Sequence, residues 1–186
     1  SRKDAADAMI PPFKNEPFTD FTREENAEKM REALAEVERQ LGREYPCYVD
    51  GEHVETGNLL ASTNPGDPDQ VIGSVHTGSS DLANRALDAG WRAFDSWKRV
   101  PVEERARYLF AAAAELRRRK FEFSAWMVYE VGKSWAEADA DTAEAIDFLE
   151  FYGREAIRYA GPHGVTQSPL AGEQNEFFYI PLGVGV

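Results

Sequence analysis

The chain has 186 residues, 42% of them hydrophobic and 29% charged, which is the composition of a globular domain with a core of its own. Its 21 Lys and Arg stand against 33 Asp and Glu, for a formal charge of −12. That balance excludes an extended phosphate-binding surface and with it a nucleic-acid partner. No stretch approaches eighteen consecutive apolar residues, and "SRKDAADAMIPPF" has no apolar signal region, so neither a membrane span nor a secretory leader is expected. The single cysteine, Cys47, precludes an internal disulfide framework and fits a reducing, cytoplasmic setting.

Residues 1–20, with Pro11, Pro12 and Pro17 and little periodicity, read as an extended arm laid over another surface. A helix follows over 21–42. Thr22 and Glu25 stand at capping-box spacing, Ala27, Met30, Leu34, Val37 and Leu41 recur every three or four residues, and Gly42 supplies the stop. The region 43–78 reads as β structure. "YPCYVDGEHVE" places strand formers on both sides of Asp50-Gly51, the pair that best adopts the positive φ angles of a two-residue hairpin turn. "NPGDPDQVIGSV" then reads as a turn-rich loop running into a short strand at 71–75.

Helical spacing fills 79–160. Ser79 or Ser80 caps a first helix whose inward stripe runs Leu82, Ala86, Ala89 or Gly90, Ala93 or Phe94, and Trp97. Pro101 begins a second, with Ala106, Leu109, Ala113 and Leu116 on one face and the basic run Arg117-Arg118-Arg119-Lys120 as a solvated, dipole-complementing end. "KFEFSAWMVYEVGK" forms a third that stops at Gly132, and Ser134 opens a fourth with Glu137 at its third position. Residues 161–172 turn to Pro, Gly and Ser, and "EFFYIPLGVGV" returns to strand. Strands and helices are segregated, so the class is α+β, with an incomplete sheet. An apolar strand that runs to the last residue leaves an open edge, and we expect a longer parent polypeptide.

Chemistry is sparse. Cys47 lies in a predicted strand with no neighbouring cation or helix N-terminus to stabilise a thiolate, so a packed cysteine is expected. His53, His76 and His163 share no ligand spacing with Cys47 or one another. Asp139 and Asp141 point to different helix faces and read as solvated surface rather than a carboxylate dyad. "GVGV" lacks the third glycine, helix and downstream acid of a dinucleotide loop, and "EVGKS" lacks the upstream glycine of a P-loop, which leaves Lys133 to pair near a helix-to-helix turn. Glu137 remains open between two roles. It is either the capping-box partner of Ser134 or an acid projecting from the first turn of a helix toward a cavity.

Taken in order, "YVDGEHV", "STNPGDPDQVIGSV", "ALDAGWRAFDSWKRVPVEERARYLFAAAAELRRR", "YEVGKSWAEADADTAEAIDFLEFYGREA" and "FFYIPLGVGV" resemble the N-terminal part of the NAD(P)-dependent aldehyde dehydrogenase superfamily. Within it, "FKNEP", "YPCYVDGE" and "AEAIDF" are similar to the 1-pyrroline-5-carboxylate dehydrogenase branch, which oxidises glutamate semialdehyde to glutamate in proline breakdown. The resemblance implies a predominantly helical part of that fold, with a β-hairpin and edge strands. It implies thiolate attack on the aldehyde, an oxyanion hole, hydride transfer to NAD and a glutamate that activates water, none of which maps onto a residue here. Glu137 alone matches a substrate-proximal position. A chain limited to these residues is therefore expected to be inactive, to bind no NAD, and to associate with itself or with the rest of a dehydrogenase acting on a small-molecule substrate. A non-catalytic helical oligomerisation module of the same ancestry is the alternative.

Overall fold

The computed structural model describes residues 10–160, 170–173, 175 and 177–185. Among the described residues, five helices and five strands follow one another in the order one helix, five strands, four helices. Helix α1 (Glu24–Glu38) starts later than its sequence pattern predicts, and the capping box of Thr22 and Glu25 does not form. Asp20 takes both Thr22 donors, the backbone N–H at 3.0 Å and the hydroxyl at 2.6 Å, so a local turn replaces the cap. The helix also ends earlier, at Glu38. Gly42, at φ +77°, turns the chain onward while its N–H reaches the Ile72 carbonyl at 2.9 Å.

Strands β1 (Arg43–Tyr45), β4 (Leu59–Asn64) and β5 (Asp67–His76) form one sheet in the order β1-β5-β4, β1 parallel and β4 antiparallel to β5. Strands β2 (Cys47–Val49) and β3 (Glu52–Val54) form the expected hairpin, with Asp50 at φ +55° and Gly51 at +81°. The segment read as a loop before residue 71 is instead the β4–β5 hairpin. Its register shifts at Ser62 to Asn64, and with Pro65 and Pro68 beside the turn no clean alternation is left to see.

Helices α2 (Ser80–Trp97), α3 (Val102–Arg118), α4 (Lys120–Val131) and α5 (Trp135–Tyr159) complete the fold. The Ser79 hydroxyl caps α2, accepting from the Leu82 N–H at 3.1 Å. Only Leu82 of the stripe read on α2 is buried, and Trp91 and Trp97 stay exposed. Helix α5 is the hub, packed on α3 and α4, while α1 lies on α4. Its buried face carries Ala138, Thr142 and Ile146 at four-residue steps, the spacing that stacks side chains along one side of a helix. Met30, Val37 and Ala125 are fully buried between α1 and α4 beneath Phe21, Phe121, Trp126 and Trp135.

The arm crosses the helices as an extended segment. Asp147 accepts from the Glu16 N–H and the Asn15 amide, both at 2.7 Å, Arg154 donates to the Pro11 carbonyl at 2.9 Å, and Phe13 packs edge-on against Phe151. Residues 177–185, expected as a strand, are unpaired, and Phe178, Ile180 and Leu182 are exposed. A strand exists only beside a hydrogen-bonded neighbour, and among the described residues none lies alongside. The Pro/Gly/Ser loop falls mostly outside the described residues.

Candidate functional site: the turn that carries Glu137

Two local rules shape the turn between α4 and α5. Gly132 closes α4 in the left-handed region, φ +67° and ψ +27°, and its N–H bonds back to the Val128 carbonyl. Ser134 then caps α5 reciprocally with Glu137. The Ser134 hydroxyl accepts from the Glu137 N–H at 3.4 Å, while the Glu137 carboxylate accepts from the Ser134 N–H at 3.1 Å and its hydroxyl at 2.9 Å. Pro65 of the β4–β5 turn packs against Gly132, its Cγ 3.0 Å from where a Cβ would stand. Lys133 pairs with Asp141 in the second turn of α5. The sheet and two helices thus converge behind this turn.

Glu137 is exposed. The Ser134 hydroxyl, then the Ser134 backbone N–H, then the nearby Lys133 charge hold its carboxyl below the usual glutamate range. A carboxylate so stabilised is a poor proton acceptor but a good fixed anion. It suits the binding of a cation or hydrogen-bond donor more than proton transfer.

Other candidates resolve differently. Asp139, read as solvated, is buried: it accepts from the Thr19 N–H at 2.7 Å, the Thr19 hydroxyl at 2.6 Å and the Lys120 ammonium at 3.0 Å. Lys120 is correspondingly no part of a solvated helix end. The chain breaks helix at Arg119 (φ −106°, ψ +23°), which turns Lys120 inward, where it also donates to the Pro17 carbonyl at 2.9 Å. Arg118 and Arg119 do lie at the surface, on Glu115 and Glu122. Cys47 is half-buried with its thiol donating to the His76 carbonyl at 3.1 Å. His76 Nδ1 accepts from the Thr56 and Gly57 N–H groups at 3.0 and 3.2 Å, and His53 lies edge-on to Tyr48. His163 lies outside the described residues. Among the described residues no group of three His, Cys, Asp or Glu is placed to hold a metal, and no helix is long and apolar enough to cross a membrane.

A residue that sequence reading passed over is Arg105. It lies in an apolar cleft of about 540 Å³ between α3, α5 and the segment at 179–181. Its position inside α3 gave no signal, because the motif around it reads as ordinary helix surface.

Residues 49–186 match the pattern of the aldehyde dehydrogenase family. Over 178 residues, 96% of its length, the chain is 52% identical to 1-pyrroline-5-carboxylate dehydrogenase 1 of Halalkalibacterium halodurans. Over the same span it is 48% identical to the 1-pyrroline-5-carboxylate dehydrogenase of Bacillus subtilis. It spans 34% of each of these relatives. The crystal structure of 1-pyrroline-5-carboxylate dehydrogenase from Thermus with bound NAD superposes with a TM-score of 0.85 at 49% identity, over 94% of this chain and 34% of that one. Proline utilization A from Bdellovibrio bacteriovorus superposes at 0.83 with 34% identity, over 92% of this chain and 18% of that one.

A dinucleotide cradle needs backbone N–H groups at a helix N-terminus behind a glycine turn. Gly183, at φ +125°, and Gly185 lie outside any strand or helix, so no such cradle is formed among the described residues. What they do fit is the helical and hairpin framework common to the matched proteins. With the pattern running from Val49 through the last residue, the chain belongs to the aldehyde dehydrogenase family.

Proposed function

We propose that this chain forms the N-terminal third of an NAD-dependent 1-pyrroline-5-carboxylate dehydrogenase, which oxidises L-glutamate 5-semialdehyde to L-glutamate in proline degradation. The observation that carries the reading is the 52% identity to a dehydrogenase of that name across 96% of the chain. In this assignment Glu137 is a substrate contact. Its exposed carboxylate is held by the capping box and kept below the usual glutamate range, which suits it to pair with the one cationic group of an amino-acid semialdehyde, the α-ammonium. The nucleophilic thiolate, the water-activating glutamate and the dinucleotide cradle belong to the other two thirds. The 186 residues alone therefore bind no NAD and turn over no aldehyde, and they associate with the remaining polypeptide or with themselves in a reducing, cytoplasmic setting.

The test is a fusion of residues 1–186 to the remaining two thirds of the Halalkalibacterium halodurans relative. It is expected to form NADH from glutamate semialdehyde, while the 186-residue chain shows neither turnover nor a calorimetric signal with NAD. Glu137→Gln in the fusion is expected to raise KM about tenfold and leave kcat within about threefold, the signature of a lost binding contact. A folded fusion that binds NAD yet ignores the semialdehyde rules out the substrate assignment. An unchanged KM removes Glu137 from the site.

A further inference from the structure

Lys133 stands beside two acids and is paired with one of them. Glu137 and Asp141 are four residues apart, so their side chains leave the same face of α5 one turn from each other. The Lys133 ammonium makes its ion pair with Asp141. It lies near enough to Glu137 for its charge to help hold that carboxyl below the usual glutamate range, yet among the described residues Glu137 has no ion pair. Both bonds that Glu137 accepts, from the Ser134 N–H at 3.1 Å and the Ser134 hydroxyl at 2.9 Å, end on one oxygen, Oε2. Its Oε1 is left as an open acceptor on an exposed side chain.

The open oxygen has a competitor built in. A lysine ammonium and the α-ammonium of an amino-acid semialdehyde are the same kind of group, a compact cation with three donors. A side chain tethered this close acts at an effective concentration on the order of millimolar, so a Lys133 resting on Oε1 would have to be displaced by every substrate molecule. The backbone of Lys133 has little freedom to withdraw, because Pro65 packs against Gly132 on one side and the Ser134 cap holds the other. Rotation of the side chain therefore decides, and Asp141 decides the rotation. Asp139 is no substitute, since it is buried and taken up by Lys120 and Thr19.

We propose that Asp141 is a positioning residue for substrate binding: it holds the Lys133 ammonium off Glu137 and so keeps the Oε1 side of that carboxylate open to the α-ammonium of the semialdehyde. The inference rests on the functional reading above for Glu137 as the substrate contact. Asp141 itself touches no substrate and acts only through Lys133.

Initial rates of the fusion with glutamate semialdehyde test this. Asp141→Asn is expected to raise KM about fivefold with kcat within about twofold, while Asp141→Glu, which keeps a partner for Lys133, stays near the parent. Removing the competitor as well, in Lys133→Gln with Asp141→Asn, is expected to bring KM back to within about twofold of the parent. Added to Glu137→Gln, Asp141→Asn should raise KM no further. A merely structural Asp141 gives the opposite pattern, a loss that persists without Lys133 and adds to that of Glu137→Gln, and either result overturns the proposal. So does a KM unmoved by Asp141→Asn where Glu137→Gln raises it, an outcome that leaves the Glu137 assignment standing. A KM unmoved by Glu137→Gln removes that assignment and the proposal with it. Should the fusion not turn over, a crystal structure of Asp141→Asn decides: Lys133 is expected within hydrogen-bond distance of Glu137, and a Lys133 that stays off it overturns the proposal. Should Asp141→Asn not fold, Asp141→Ser is read in its place.

Discussion

Lys120 and Asp139 meet 3.0 Å apart at the junction of α4 and α5, each almost wholly removed from solvent, and the N-terminal arm closes over them through Pro17 and Thr19. Every donor and acceptor in this cluster is answered: the carboxylate takes two bonds from Thr19, and the ammonium serves the Pro17 carbonyl as well. The pair thereby fixes where an otherwise irregular segment lies.

Asp139→Ala is expected to cost about 3–5 kcal/mol, since it strands a buried ammonium and the Thr19 donors. Replacing both partners, Lys120→Met with Asp139→Leu, should cost clearly less, because no uncompensated charge remains. Urea unfolding of the three variants separates the cases. A single substitution that costs under about 1 kcal/mol would mean that water reaches the pair.

Acid sensitivity should trace in part to Glu150. Burial by itself would raise its carboxyl, but hydrogen bonds from Arg154 and then Arg117 outweigh it and hold the group below the usual glutamate range. The folded state therefore binds this proton less readily than the unfolded chain. Its contribution is fully present above the unfolded value of about 4.3 and is lost as pH falls through the lower folded value. The stability gap between the unsubstituted chain and Glu150→Gln should narrow steadily from pH 5 downward. Urea midpoints measured at several pH values check this, and a gap that is constant with pH contradicts it.

The capping box at Ser134 predicts a modest and local loss. Ser134→Ala removes the acceptor for the Glu137 N–H and one donor to the Glu137 carboxylate, and is expected to cost about 1 kcal/mol. It also frees the carboxylate to move, so if Glu137 is the substrate contact proposed above, the KM for the semialdehyde in the fusion should rise while the unfolding transition stays cooperative. Thermal melts and initial rates on the same preparation check both halves.

Turn chemistry was the part of this fold most legible from residues. Asp50-Gly51, Gly132 and Ser79 each carry a local signal that tertiary packing did not override, and the capping box of Ser134 and Glu137 formed as spaced. Thr22 and Glu25 carry the same spacing and failed, because Asp20 lies two residues away and competes for the same donors. Burial of charge was illegible for a different reason. Lys120 and Asp139 are neighbours only in space: Lys120 closes the basic run Arg117 to Lys120, whose arginines reach the surface, and Asp139 stands two residues from another acid, Asp141, in a helix that reads as solvated. The arm that desolvates them has no periodicity from which its path can be derived. Arg105 was hidden likewise, since an arginine on a helix reads as surface until the cleft around it is seen.

Gly153 tests how tightly α3 and α5 are joined. It sits inside α5, where Gly→Ala ordinarily gains about 1 kcal/mol through helix propensity. Here a Cβ would stand 2.6 Å from the Phe110 Cε1 and 2.9 Å from its Cζ, inside van der Waals contact. The ring has little room to yield, because the Arg154 guanidinium lies 5.2 Å from its centroid and is itself tied to Glu150. Overpacking of this kind costs about 1–3 kcal/mol, so the clash should outweigh the propensity gain and Gly153→Ala should be destabilising. Adding Phe110→Leu clears the space and should recover much of the loss, a non-additivity expected only of residues in contact. Urea midpoints of the two single variants and the double variant measure it. A Gly153→Ala chain more stable than the parent would show that α3 and α5 are free to move apart at this crossing.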